Sequence, residues 1–128
     1  MEYIDFKIIN ESWNWYKLSD SCLLKLKMIL VNVLYDGLDV HGEPKFSLQI
    51  NPTIGIVPSS KEVVQSAKED ISFDPIEESW NEYTIDNGFI LRIKPIISQI
   101  NRMNSVNEVT GTPDYGINVQ PMVKISKI

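Results

Sequence analysis

The chain has 128 residues, 43% of them hydrophobic, with a single cysteine and a formal net charge of -5. That length supports one compact domain, or two very small ones, with a real buried core. The acidic balance argues against a sequence-independent nucleic-acid binder, whose affinity comes mainly from Lys and Arg on phosphates. Cys22 alone makes no disulfide framework and no thiolate cluster within one chain. It reads as a reduced, buried small hydrophobe, which points to the cytoplasm.

The N-terminal MEYIDFKIINESWN has acidic residues where a signal peptide needs basic ones and lacks a continuous apolar run, so it is expected to belong to the fold. In it Ile4, Phe6 and Ile8 alternate with Asp5 and Lys7, the period of a half-buried strand. The chain then writes the same passage again. Residues 4–35 and 71–102 align with about a third of positions identical, and the shared Glu11-Ser12-Trp13-Asn14 and Glu78-Ser79-Trp80-Asn81 stand 67 positions apart. This is a tandem duplication. The second copy has Pro75 where the first has Ile8, and a proline belongs at the edge of a sheet or the end of a strand, so this strand is expected to be short.

From Trp13 to Leu18, and again from Trp80 to Ile85, alternation turns Tyr16, Leu18, Tyr83 and Ile85 inward. Ser19-Asp20-Ser21 in the first copy and Asp86-Asn87-Gly88 in the second read as tight hairpin turns, the second being the better one because it carries Asn-Gly. The long apolar runs that follow, Cys22 to Leu34 and Phe89 to Ile100, begin by alternating, with Lys25, Lys27, Arg92 and Lys94 outward. At Met28-Ile29-Leu30-Val31 the alternation stops, and Pro95 stands opposite Met28, which predicts a strand bent there through a bulge. A tight turn between a Tyr-x-Leu strand and a long bent strand resembles the hairpin of Sm-like and SH3-like small barrels. The resemblance covers one hairpin per copy, and no function is carried over from it.

Each copy continues with a loop, residues 36–44 and 103–113, in which Gly42 and Pro44 match Gly111 and Pro113. The closing strands then set Phe46, Leu48 and Ile50 against Tyr115, Ile117 and Val119. Between the copies, Ser59 with Glu62 has capping-box spacing, and Val63, Val64 and Ala67 form a narrow apolar stripe, which predicts a short linker helix. The expected fold is therefore all-β with one short linker helix. Two duplicated small barrel or sandwich halves, residues 1–58 and 71–128, flank a linker at 59–70 and pack about a pseudo-twofold axis, most simply as one domain, with two tandem barrels as the alternative.

Candidate chemistry is sparse. His41, with Asp36, Asp39 and Glu43, offers imidazole and carboxylate ligands for a divalent cation, but its loop lacks a calcium-hand spacing and the second copy has no histidine there; an ordinary polar loop is the simpler reading. Glu11 beside Ser12, and Glu78 beside Ser79, pair a carboxylate with a hydroxyl, which a turn satisfied by Ser and Asn side chains also explains. The acidic run from Glu69 to Glu82 reads as a solvated face. No phosphate loop, nucleophile elbow, paired histidines or cysteine motif is present in the sequence, so neither a cofactor nor an enzymatic activity is expected.

The tryptophans carry more. Trp13 and Trp80 are equivalent and read as anchors of the core or of the seam between halves. Trp15 has Glu82 as its counterpart, so it reads as a surface aromatic of the kind that anchors interfaces. With Lys25, Lys27, Arg92 and Lys94, it also suggests an aromatic and basic groove for single-stranded nucleic acid. The favoured reading is a non-catalytic protein-interaction or assembly module that meets a protein partner or itself, with no membrane association. A ligand- or single-strand-binding β fold is the alternative, and a metal-dependent hydrolase a distant third.

Overall fold

The structure, a computed structural model, describes residues 2–58, 69–86, 88–109 and 111–128. Ten strands follow in order: β1 (Glu2–Ile4), β2 (Phe6–Asn10), β3 (Asn14–Leu18), β4 (Leu23–Leu38), β5 (Pro44–Val57), β6 (Glu69–Ile71), β7 (Phe73–Glu77), β8 (Asn81–Ile85), β9 (Phe89–Val106) and β10 (Pro113–Lys127). The bounds of β1, β2 and β3 recur in β6, β7 and β8 at the spacing of 67 seen in the sequence: Glu2 with Glu69, Phe6 with Phe73, Asn14 with Asn81.

The strands form two five-stranded antiparallel sheets, arranged as a sandwich rather than as closed barrels. In the first sheet β5 runs along one edge of β4, while β3 and β1 share the other, pairing with residues 23–26 and 33–35. In the second sheet β9 is flanked in the same way by β10 on one side and by β8 and β6 on the other. The expected first strand is broken at Asp5, and its counterpart at Ser72. The break has a consequence that alternation could not show: beyond it the chain changes sheet. β2 pairs with β8, Phe6 opposite Ile85, and β7 pairs with β3, Phe73 opposite Leu18. Each half completes the edge of the other's sheet.

The hairpin turns pin the crossings. The Ser19 N–H donates to the Ser72 carbonyl at 2.9 Å and the Asp86 N–H to the Asp5 carbonyl at 3.1 Å. The exchanged strands also bring Phe6 edge-on to Tyr83, centroids 5.8 Å apart, and Phe73 edge-on to Tyr16 at 6.0 Å. Each such pair contributes about 0.5–1.5 kcal/mol beyond its buried area.

Tyr16, Leu18, Leu24, Leu26, Met28 and Leu30 face Tyr83, Ile85, Leu91, Ile93 and Ile100 in one core, with Cys22 fully buried among them. The long strands do bend, in the first copy at the end of the Met28–Val31 run where alternation stops, and in the second three residues past Pro95 rather than at it. The register shifts fall at Val31, between Leu30 and Asn32, and at Ser98, opposite the step from Asn118 to Val119. Val31 and Ser98 are themselves 67 apart, and burial changes parity at each, from Leu30 to Val33 and from Pro95 to Ile100.

Pro95 stays inside a straight stretch because it pairs with Pro121. Two prolines cannot exchange ladder N–H groups, so this is a non-hydrogen-bonded pair and both ring nitrogens face away from the partner strand. On its far side β9 has no paired neighbour between Ile93 and Ile100 among the described residues, and no ladder bond to them is lost there. Pro75 lies on an edge strand, one of the two places the sequence left open for it. Most of the expected linker helix lies outside the described residues, but its last two positions, Glu69 and Asp70, are strand in β6. Among the described residues no helix is long and apolar enough to cross a membrane.

Candidate functional site

The repeated Glu-Ser-Trp-Asn turns meet at the seam where the halves exchange strands. Asn14 is fully buried, and its Oδ1 accepts the Ser79 N–H at 2.6 Å; Asn81, 1% exposed, accepts the Ser12 N–H at 3.0 Å. The Asn81 amide donates to the Met28 carbonyl at 2.7 Å and the Asn14 amide reaches the Leu26 carbonyl at 3.5 Å. The Asn side chains do satisfy a turn, as the sequence suggested, but the turn belongs to the other half.

The glutamates are equally reciprocal. The Tyr83 hydroxyl donates to Glu11 Oε2 at 2.5 Å, and the Tyr16 hydroxyl to Glu78 Oε2 at 3.0 Å. Burial, and then the hydrogen bond to the carboxylate and its charge, push both phenol pKa values well above the usual range. Both tyrosines are therefore neutral donors over the physiological range, and Glu11 and Glu78 are held by phenols rather than set beside a nucleophile. Neither Ser12 nor Ser79 contacts its neighbouring glutamate; Ser12 Oγ donates to Asn10 Oδ1 at 2.8 Å. The motif is a clasp.

A second polar contact crosses between halves at the first hairpin. Asp20 accepts the Tyr115 hydroxyl and lies 3.6 Å from the Arg102 guanidinium, both charged side chains being under 10% exposed. Burial, followed by the hydrogen bond to Asp20, raises the Tyr115 pKa. Tyr35 and Phe46, the counterparts of Arg102 and Tyr115, instead join Phe89 in an aromatic cluster, with Phe46 5.9 Å from Tyr35 and 5.6 Å from Phe89 between centroids. One end of the duplicated core is apolar and the other ionic. Neither the buried charge pair nor its aromatic counterpart has a local signature, because the residues stand far apart in sequence.

The His41 loop does not gather ligands. Asp39 Oδ1 accepts the backbone N–H groups of His41 and Glu43 at 2.8 and 3.0 Å, and Asp36 takes the Ser47 hydroxyl at 2.5 Å. Among the described residues no three His, Cys, Asp or Glu side chains converge on a point that could hold a metal ion.

The tryptophans sit otherwise than as core anchors. Trp13 and Trp80 are half-buried on the outside, each against lysines. Lys25 Nζ lies 4.6 Å and Lys27 Nζ 4.9 Å from the Trp13 ring centroid, and Lys25 is also 6.0 Å from the Trp15 ring. Around Trp80 the cations are Lys94 at 5.7 Å and Lys124 at 5.0 Å. An indole face attracts ammonium groups and covers their alkyl stems, so the ring is more useful here than inside an already filled core.

Lys25 and Lys27 alternate with buried Leu24 and Leu26, and Arg92 and Lys94 with buried Leu91 and Ile93. Each pair thus lies on the outer face of its own sheet, and the outer faces of a sandwich point away from one another. The four cations expected in one groove are two separate patches. The patches differ in charge balance. In the second sheet Arg92 pairs with Glu82 at 3.2 Å and Lys94 with Glu78 at 2.7 Å. In the first, Trp15 stands where Glu82 stands, and Glu11 turns to Tyr83; among the described residues no carboxylate lies within ion-pair distance of Lys25 or Lys27.

Gly55 completes this patch. It pairs with Lys25, and a Cβ there would come within 2.6 Å of Lys25 Cε. Its counterpart in the second sheet is Lys124, opposite Arg92. The missing side chain lets the Lys25 stem lie flat towards Trp13. The sequence named both tryptophans and both lysines but not Gly55, whose role depends on a cross-strand register that no local pattern displays.

No family model matches the chain, and no curated protein or solved structure does either.

Proposed function

We propose that this protein is a non-catalytic interaction or assembly module, with the outer face of the first sheet around Trp15 as its contact surface. One observation carries the reading: two copies of one backbone pattern end differently at one site. The second sheet has the row Glu82, Arg92, Lys124, with its acid and guanidinium paired; the first has Trp15, Lys25, Gly55, with a half-buried indole and cations that have no anionic partner among the described residues. A solvated face needs only the former. A flat aromatic flanked by uncompensated charge is the composition of an interface anchor and its rim.

The test is Trp15→Glu in the full chain, followed by sedimentation velocity and thermal melting. Because Glu82 occupies the equivalent position beside Arg92, a glutamate at position 15 can pair with Lys25 and the fold is expected to survive. Loss of association, with itself or with a bound protein, at unchanged melting temperature is expected; association that persists undiminished overturns the reading.

The same two tryptophans and two lysines support a second reading, a short single-stranded oligonucleotide or small anionic ligand lying on this face. Two cations give a shallow salt dependence. Fluorescence polarisation at low salt with a short oligonucleotide decides it, and no salt-dependent binding removes it.

A further inference from the structure

The registers of β3, β4, β5 and β7 put Gly55, Lys25, Trp15 and Glu77 side by side in one row across the first sheet. β7 has one extra residue, Ile76, between Pro75 opposite Tyr16 and Glu77 opposite Trp15; beyond this bulge the directly paired Glu77 shares the face of Trp15, the outer surface that carries Lys25. Neighbouring strands are about 4.8 Å apart, which separates the backbones of Lys25 and Glu77 by about 10 Å. They do not pair with each other, and among the described residues neither makes an ion pair with anything else. This row therefore has a cationic side, an aromatic middle and an anionic edge, and in the next outward row Lys17 stands directly opposite Asp74.

Such a row complements itself. A twofold axis lying between two such sheets, along the direction of β3 and over Trp15, carries the cationic side of one copy onto the anionic edge of the other. We infer that the occupant of this face is a second copy of the chain, held as an isologous dimer in which Trp15 lies near the axis and Lys25 of each copy, with Lys27 beside it, meets Glu77 of the other. This names the partner for the contact surface proposed above and rests on that proposal. The second sheet offers no such pairing, because its row is already neutralised by Glu82 with Arg92 and holds no aromatic at the central position.

Exposed ion pairs alone contribute little; the indoles close the contact, and the charges set its orientation and exclude the reversed one. Native mass spectrometry of the full chain tests this on the wild type, on Lys25→Glu/Lys27→Glu, on Glu77→Lys and on an equimolar mixture of the two variants, with circular dichroism to confirm the fold. Each variant alone brings like charges together at both ends of the contact and is expected to weaken the dimer at least about tenfold. In the mixture every contact is again between opposite charges, so a one-to-one heterodimer is expected to reappear at near wild-type affinity. A monomeric wild type at tens of micromolar, a dimer indifferent to both reversals, or a mixture that stays monomeric each overturns the inference. Trp15→Glu run beside them separates the two levels. A dimer lost in Trp15→Glu but indifferent to the charge reversals refutes the pairing and leaves the contact surface standing; a dimer that survives Trp15→Glu refutes both.

Discussion

Removing the Asn81 amide is the sharpest perturbation of the seam. In Asn81→Ala the Ser12 N–H loses an acceptor at 3.0 Å and the Met28 carbonyl loses a donor at 2.7 Å. Nothing in the ladder replaces the second bond: Met28 pairs with Pro52, which has no N–H, and β3 pairs with β4 only as far as Leu26. The Tyr83 hydroxyl, 3.4 Å from the same carbonyl, already donates to Glu11 at 2.5 Å. Each buried polar group left unsatisfied costs about 1–3 kcal/mol, so the substitution is expected to cost about 2–5 kcal/mol. Asn14→Ala strands mainly the Ser79 N–H, since its amide contact to the Leu26 carbonyl is long at 3.5 Å, and is expected to cost about 1–3 kcal/mol. Urea unfolding measures both, with a shifted midpoint at unchanged slope as the sign of a pure stability effect. If both variants lie within about 0.5 kcal/mol of the wild type, the clasp does not hold the halves, and the reasoning fails. Equal losses would refute the asymmetry drawn from the two amide contacts.

Three further outcomes follow from the same geometry. Ser21 has φ 73° where its counterpart Gly88 has φ 90°, so Ser21→Gly should relieve a left-handed strain and stabilise by about 1 kcal/mol, seen as a raised urea midpoint. Tyr16, Tyr83 and Tyr115 have phenol pKa values raised by burial and by Glu78, Glu11 and Asp20. Groups raised on folding keep their full stabilisation below the unfolded pKa of about 10 and lose it as pH rises further, so stability should fall on the alkaline side of pH 10, and less steeply in Tyr83→Phe. Arg102→Met leaves Asp20 buried without its cation and should cost about 3–5 kcal/mol, most of it recovered when Asp20→Asn is added, as a thermal or urea double-mutant cycle would show.

Much of the architecture was legible because duplication supplies its own control. Ile4, Phe6, Tyr16 and Leu24 recur at a fixed spacing with the same parity, so the strands, the hairpin turns and the inward faces could be read twice. The strand exchange was not legible. Alternation reports which face a residue takes, and Phe6 faces inward whether β2 closes its own sheet or the other one. The bend was legible in the first copy, where alternation stops over Met28–Val31 and the bulge falls at Val31, but Pro95 did not mark it in the second: paired with Pro121 and unpaired on its other side among the described residues, it loses no hydrogen bond, and the bulge falls at Ser98. At the candidate site Trp15 was conspicuous through its mismatch with Glu82. The lysines were visible as outward residues, yet only the sheet assignment separated them into two patches, and only register brought in Gly55 and Glu77.

Oxidative footprinting of the three tryptophans below and above the association concentration tests the central claim most directly, because Trp80 serves as an internal control on the opposite sheet. Protection of Trp15, with Trp13 following it and Trp80 unchanged, is the result expected of a contact surface on the outer face of the first sheet. Protection that falls equally on all three, or on Trp80 alone, would contradict it.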